Sequence, residues 1–113
     1  MMDDEDRENE GDLVYAATFS TPDMVNFMAK EARGLICTPL TKELALNLDL
    51  MPMVSNNVSN HETAFTVSID STIAETGISA AERDDCICKL ANPQTRSDDF
   101  VRPGHIFPLI AKD

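Results

Sequence analysis

Apolar and polar positions alternate most clearly over residues 63–70. Phe65, Val67 and Ile69 fall on one side of that run, and Thr66, Ser68 and Asp70 on the other. A period of two is that of a half-buried strand. Its apolar side is expected to pack on a core. Its polar side either lines a pocket or faces water. Shorter apolar runs at residues 13–18 and 35–37 are read as buried strands. Thr38-Pro39 is expected to break the second of these, and residues 106–111 form a last apolar strand interrupted by Pro108.

Helical patterns lie between the apolar runs. Thr21-Pro22-Asp23 opens the first: Thr21 can cap, Pro22 suits the first turn, and Asp23 complements the positive end of the dipole. Met24, Val25, Phe27, Met28 and Ala32 supply its apolar face, and Gly34 is expected to end it. Residues 41–48 predict a short helix with Leu44 and Leu48 on one side. A third follows Thr76-Gly77-Ile78-Ser79, where Ser79 and Glu82 have the spacing of a capping box. Ala81, Ile87, Leu90 and Ala91 give it a modest apolar stripe, and Asn92-Pro93 stops it. Pro52 and three asparagines mark residues 49–61 as loop, and Arg102-Pro103-Gly104-His105 reads as a type II turn. Turns and prolines are too frequent for a doubly wound sheet. The prediction is an α+β domain, a mixed twisted sheet with helices packed on it in three layers.

Composition narrows the range of functions. With 113 residues and 42% apolar content, the chain can build one small domain with a real core. A net charge of −11 argues against nucleic acid, which needs a Lys/Arg surface, and against an anionic membrane surface. The three cysteines, Cys37, Cys86 and Cys88, are an odd count without a Cys-x-x-Cys pair. Together with the lack of a leader and of a membrane-length apolar run, they fit a cytoplasmic protein. Cys86 and Cys88 point different ways on a helix, so one buried and one exposed thiol is expected rather than a metal pair.

The charge is not spread evenly. Residues 3–12 read Asp-Asp-Glu-Asp-Arg-Glu-Asn-Glu-Gly-Asp, seven carboxylates in ten positions around Arg7. One reading is a solvated acidic tail, as blocks of like charge at a terminus usually are. The other is a site for a hard divalent cation, which takes oxygen ligands and often needs only one or two carboxylates besides substrate oxygens. Arg7, a fork-shaped donor suited to a phosphate or a sugar hydroxyl, and Gly11, which permits a tight course before the apolar run, favour the second.

That acidic stretch resembles the signature loop of the 3,4-dihydroxy-2-butanone 4-phosphate synthases of riboflavin biosynthesis. Leu35-Ile36-Cys37-Thr38-Pro39-Leu40, Thr63-Ala64-Phe65-Thr66-Val67-Ser68-Ile69-Asp70, Thr76-Gly77-Ile78-Ser79-Ala80 and Arg102-Pro103-Gly104-His105-Ile106-Phe107-Pro108-Leu109 look like further blocks of the same family, in the same order. The resemblance implies a lyase that converts D-ribulose 5-phosphate to L-3,4-dihydroxy-2-butanone 4-phosphate and formate with Mg²⁺ (or Mn²⁺). It implies a homodimeric α+β enzyme with sites at the subunit interface and a small-molecule sugar phosphate as substrate. Arg7, Glu8 and Asp12 match positions that touch substrate, Glu8 the metal-binding glutamate, and His105 a catalytic histidine. Cys37 matches a cysteine near the site. Such a reaction needs enolisation beside a carbonyl, a carbon-skeleton shift and loss of a one-carbon unit. A metal suits the polarisation and a histidine the proton transfers.

There are departures from the family. Glu82 stands where an aspartate is usual, and residues 84–89, with their two cysteines, are atypical. The helix and strand that precede the acidic loop in the family are not found, nor is its later Gly-His-Thr-Glu block. The expectation is therefore one partial synthase domain over residues 1–113, incomplete at both ends, with little or no turnover alone. The alternative is a non-catalytic, acidic scaffold that binds divalent cations. Without the other blocks, His105 would read as an ordinary turn histidine, Cys37 as packing, and His61 as surface.

Overall fold

A computed structural model describes residues 14–53 and 64–111. Arg7, Glu8, Asp12 and His61 lie outside the described residues. Among the described residues, three strands form one mixed sheet in the order β1-β3-β2. Edge strand β1 (Cys37–Leu40) runs parallel to the central β3 (Phe100–Ile110), and β2 (Ile69–Ser71) runs antiparallel to β3. Helix α1 covers Pro22–Phe27, α2 Lys42–Asn47 and α3 Ala80–Ala91. Helix α3 packs on β2 and β3, and α1 packs on α3 in turn. The predicted α+β architecture with a mixed sheet is therefore present.

Local signals set the helix starts. The hydroxyl of Thr21 accepts the Met24 N–H with Pro22 in the first turn, and Thr41 accepts the Leu44 N–H. The Ser79 hydroxyl accepts the Glu82 N–H and donates to the Glu82 carboxylate, which therefore binds the cap's hydroxyl and not, as in a capping box, its backbone N–H. Helix α1 widens into a π-turn at Met28–Ala32. It closes on Arg33, at φ 56°, so the left-handed residue is Arg33 and not Gly34.

The strands depart from expectation in four places, each where pairing depends on distant chain. Residues 14–18 form no strand; a 3₁₀ turn covers Ala17–Phe19 instead. The N–H groups of Phe19 and Ser20 return to the carbonyls of Ala16 and Ala17, so local bonds replace a ladder. Second, β1 begins at Cys37 and carries Pro39 within it, while Leu35 is exposed. A proline is tolerated there because β1 is an edge. Third, the alternating run contributes a strand only at Ile69–Ser71. Phe65 and Thr66 make isolated bridges to Leu109 and Pro52. Its polar side faces inward, since Thr66, Ser68 and Asp70 are all buried. Fourth, the Arg-Pro-Gly-His segment is not a turn between elements but part of β3.

The core gathers Val25, Leu40, Leu48, Ile69, Cys86, Leu90, Phe100 and Ile106, drawn from all three helices or their ends and all three strands. Ile69 and Ile106 pair across the sheet at its centre, both fully buried. Pro108 sits in the central strand without ending it, and its carbonyl accepts the Thr66 N–H at 3.0 Å. No helix among the described residues is long and apolar enough to cross a membrane.

Candidate functional site

The register between β2 and β3 builds the site. Ile69 pairs with Ile106, yet the next residue, Asp70, pairs with Val101. Residues 102–105 have no partner on β2 and are extruded from the ladder as a large bulge. A Cβ at Gly104 would run into the backbone of Ile69 and Asp70, so only glycine lets the segment close on β2. The Arg102–Pro103 peptide is cis.

Side chains of the 68–70 run hold the extruded backbone in place of a ladder. The Gly104 N–H donates to the Ser68 hydroxyl at 3.0 Å. The His105 N–H donates to Asp70 Oδ1 at 2.8 Å. On the outer side, the Arg102 guanidinium donates to the Leu48 carbonyl at 2.7 Å, at the end of α2. The buried polar row thus satisfies the donors that the bulge frees.

Asp70 also binds the His105 ring. Nδ1 lies 3.1 Å from Oδ2 and 3.3 Å from Oδ1. The Asp70 side chain is 12% exposed and that of His105 44%. The carboxylate is therefore walled in, and the ring it holds reaches solvent. Gly77 closes the other side at φ 81°: a side chain there would strike both the Asp70 carboxylate and the ring. Among the described residues, Nε2 of His105 is the ring atom without a hydrogen-bond partner.

The loop carrying Gly77 is tied down by Glu82. Its carboxylate accepts from the Glu75 N–H, the Thr76 hydroxyl at 3.0 Å and the Ser79 hydroxyl at 2.9 Å. The Glu75 N–H above all, then the Ser79 hydroxyl, lowers its pKa from 4.5 to about 2. On α3, burial first and then the charge of Asp70 push the Cys86 thiol up to about 12. Cys86 is an inert core thiol. Cys88 is part-buried and also raised, again chiefly by burial.

Of the sequence candidates, His105 stands at this site. Cys37 does not share its flank of the sheet: it pairs with Phe107 from β1, on the side of β3 away from β2. Cys37 lines a cleft of about 650 Å³ along β1, together with Val14, Leu35, Ile36, Ile87 and Leu109. Neither Asp70 nor His105 lines it. Its wall is largely apolar among the described residues. No three His, Cys, Asp or Glu side chains among the described residues converge to hold a metal ion. The oxygen-rich run at 3–12 remains the donor set suited to a hard cation.

Sequence reasoning missed Asp70, Ser68 and Gly77 as parts of the site. The signal for Asp70 was present: it ends the polar side of an alternating run whose other members, Thr66 and Ser68, are small. Periodicity assigns the side but not what covers it.

The chain is similar to several known proteins. The family model for 3,4-dihydroxy-2-butanone 4-phosphate synthase matches residues 1–113. The synthase of Helicobacter hepaticus is 66% identical over 113 residues, covering all of this chain and 32% of the relative. The Bacillus subtilis riboflavin biosynthesis protein RibBA is 58% identical over 112 residues, covering 99% of this chain and 28% of the relative. The chain thus spans about a third of the length of the curated relatives it matches. A crystal structure of a 3,4-dihydroxy-2-butanone 4-phosphate synthase in complex with two magnesium ions superposes with a TM-score of 0.93 at 45% identity, covering 98% of this chain and 52% of that one. With a match across its whole length and the fold in common, the chain belongs to the 3,4-dihydroxy-2-butanone 4-phosphate synthase family.

Proposed function

We propose that the protein carrying these residues is a lyase of riboflavin biosynthesis, converting D-ribulose 5-phosphate to L-3,4-dihydroxy-2-butanone 4-phosphate and formate. The observation that carries this reading is the His105 ring, gripped at Nδ1 by a buried carboxylate and without a partner at Nε2 among the described residues. A histidine so held can take a proton from carbon beside a carbonyl and return it later in the sequence. Arg7 and Asp12 position the sugar phosphate, and Glu8 holds the divalent ion, Mg²⁺ or Mn²⁺. Bound there, the ion would polarise the substrate carbonyl and lower the pKa of its hydroxyls. Support for the ion comes from the all-oxygen donor set of the acidic run and from the magnesium complex of the related synthase. The 113 residues form one partial synthase domain of a cytoplasmic homodimer. Nucleic acid and membrane surfaces are not partners, in keeping with the charge of −11.

Formate release from ribulose 5-phosphate by the full-length protein tests the reading. Activity is expected with Mg²⁺ and lost with a chelator. His105→Ala and Glu8→Ala should each lower the rate on the order of 10²-fold or more. Inactivity with metal present, or an unchanged rate in both variants, would overturn it.

A further inference from the structure

The carboxylate of Asp70 makes two different contacts with one residue. Oδ1 accepts the His105 backbone N–H at 2.8 Å, and Oδ2 faces ring Nδ1 at 3.1 Å. The first contact fixes where the residue's backbone stands in the bulge. The second decides which ring nitrogen carries the proton, because a carboxylate only accepts. Neutral His105 beside it must keep its proton on Nδ1, leaving the lone pair on Nε2.

We propose that Asp70 is a positioning residue for His105: it locks the imidazole in the Nδ1–H tautomer and aims Nε2 at the substrate. This inference rests on His105 being the proton-transfer group. Three features make the lock specific to Asp70. Oδ1 is already committed to the backbone N–H, so the carboxyl cannot swing away without releasing the bulge. Gly77 lies against both partners, so closely that an added Cβ would strike Oδ2 and Nδ1. The pair is also walled from solvent on the Asp70 side, at 12% exposure. Competition by water for Nδ1 is therefore weak, and the ion pair formed when Nε2 takes a proton is stronger than it would be in water.

Asp70→Asn is the informative change because it is nearly isosteric. The amide oxygen takes over the backbone N–H at the Oδ1 position, which only an acceptor can serve. The amide nitrogen then stands where Oδ2 stood and donates to Nδ1. That arrangement drives the ring proton to Nε2 and removes the lone pair from the reacting side. Ser68→Ala is the contrast: it loses the anchor on Gly104 and leaves Oδ2 in place.

Nitrogen chemical shifts of the His105 ring, read by NMR in the full chain without substrate at a pH high enough that the ring is neutral, test the lock directly. The wild type should show a protonated Nδ1 and an unprotonated Nε2, as should Ser68→Ala. Asp70→Asn should show the reverse. In the full-length lyase, Asp70→Asn should lower kcat on the order of 10²-fold or more, with KM changed little. A wild-type ring protonated at Nε2 overturns the proposal, and so does an Asp70→Asn protein that keeps the wild-type kcat. If the full-length wild type releases no formate, the lyase reading fails, and the ring measurement still decides whether Asp70 sets the tautomer.

Discussion

Central strand β3 works in two ways along its length. From Ile106 to Ile110 it is held by backbone. Residues 107–110 pair in register with β1, Ile106 pairs with Ile69 of β2, and Ile106 and Pro108 are buried. From Arg102 to His105 it leaves the ladder and is held by side chains: Ser68, Asp70 and the reach of Arg102 to Leu48. The first half supplies stability from apolar burial, a term without direction. The second supplies geometry from hydrogen bonds that have direction and position one ring. A bulge is the device that lets a single strand do both, since it re-aims side chains beside an intact ladder.

The largest test of this division is at the ladder half. Ile106→Ala removes a fully buried side chain opposite Ile69. It should cost roughly 2–5 kcal/mol by chemical denaturation. In the molecules that remain folded, the His105 ring should still show its contact with Asp70 by NMR. Loss of that contact at low denaturant, with the fold kept, would mean that the two halves are not separable.

The complementary change is Gly104→Ala. Its Cβ would collide with the backbone of Ile69 and Asp70, which cannot yield as a flexible side-chain tip can. A destabilisation of about 1–3 kcal/mol is expected, smaller than for Ile106→Ala because the bulge can shift outward. The site should suffer more than the fold: the His105 amide resonance, a reporter of its bond to Asp70, should move strongly while those of residues 108–110 hold. An unmoved His105 amide would show that the close approach of Gly104 to β2 is not what seats the ring.

These two halves were not equally legible in the sequence. The three helices were read correctly because their signals are local. Thr21 with Pro22, and Ser79 with Glu82, lie within one turn of what they cap. The α+β class followed from their alternation with apolar runs. Strand limits were legible only in part, because a strand is defined by its partner. Residues 14–18 looked like a strand and bond locally instead. Residues 102–105 carry the residues of a turn, and they do leave the regular path. What the sequence could not state is that β3 resumes pairing on both sides of them. His105 is a candidate only through the resemblance of whole blocks, and its catalytic role belongs to the proposal. Asp70 was placed on the correct side of its run but not on its partner, which lies 35 positions away. Arg7, Glu8 and Asp12 lie outside the described residues, so their place beside His105 belongs to the proposal.

The smallest expected effect lies one step out from the site, at the loop that walls it. Glu82 ties Glu75, Thr76 and Ser79 together, and Gly77 between them rests on the Asp70–His105 pair. Its pKa falls from 4.5 to about 2 in the folded chain, chiefly through the Glu75 N–H. A carboxyl with a depressed folded pKa binds its proton more readily when unfolded, so its ionised form favours folding. That contribution is complete above pH 4.5, declines as the pH falls, and is gone below about pH 2. Glu82→Gln should therefore lower the thermal midpoint slightly at pH 7 and make no difference near pH 2. The effect stays small because the carboxylate is solvent-accessible and its bonds compete with water. It also sharpens the division within β3. Loosening this loop should broaden the His105 ring signals through the wall at Gly77, while the amide signals of the 106–110 ladder stay sharp. If Glu82→Gln lowered the midpoint equally at both pH values, the carboxylate's charge would have no part in holding the wall.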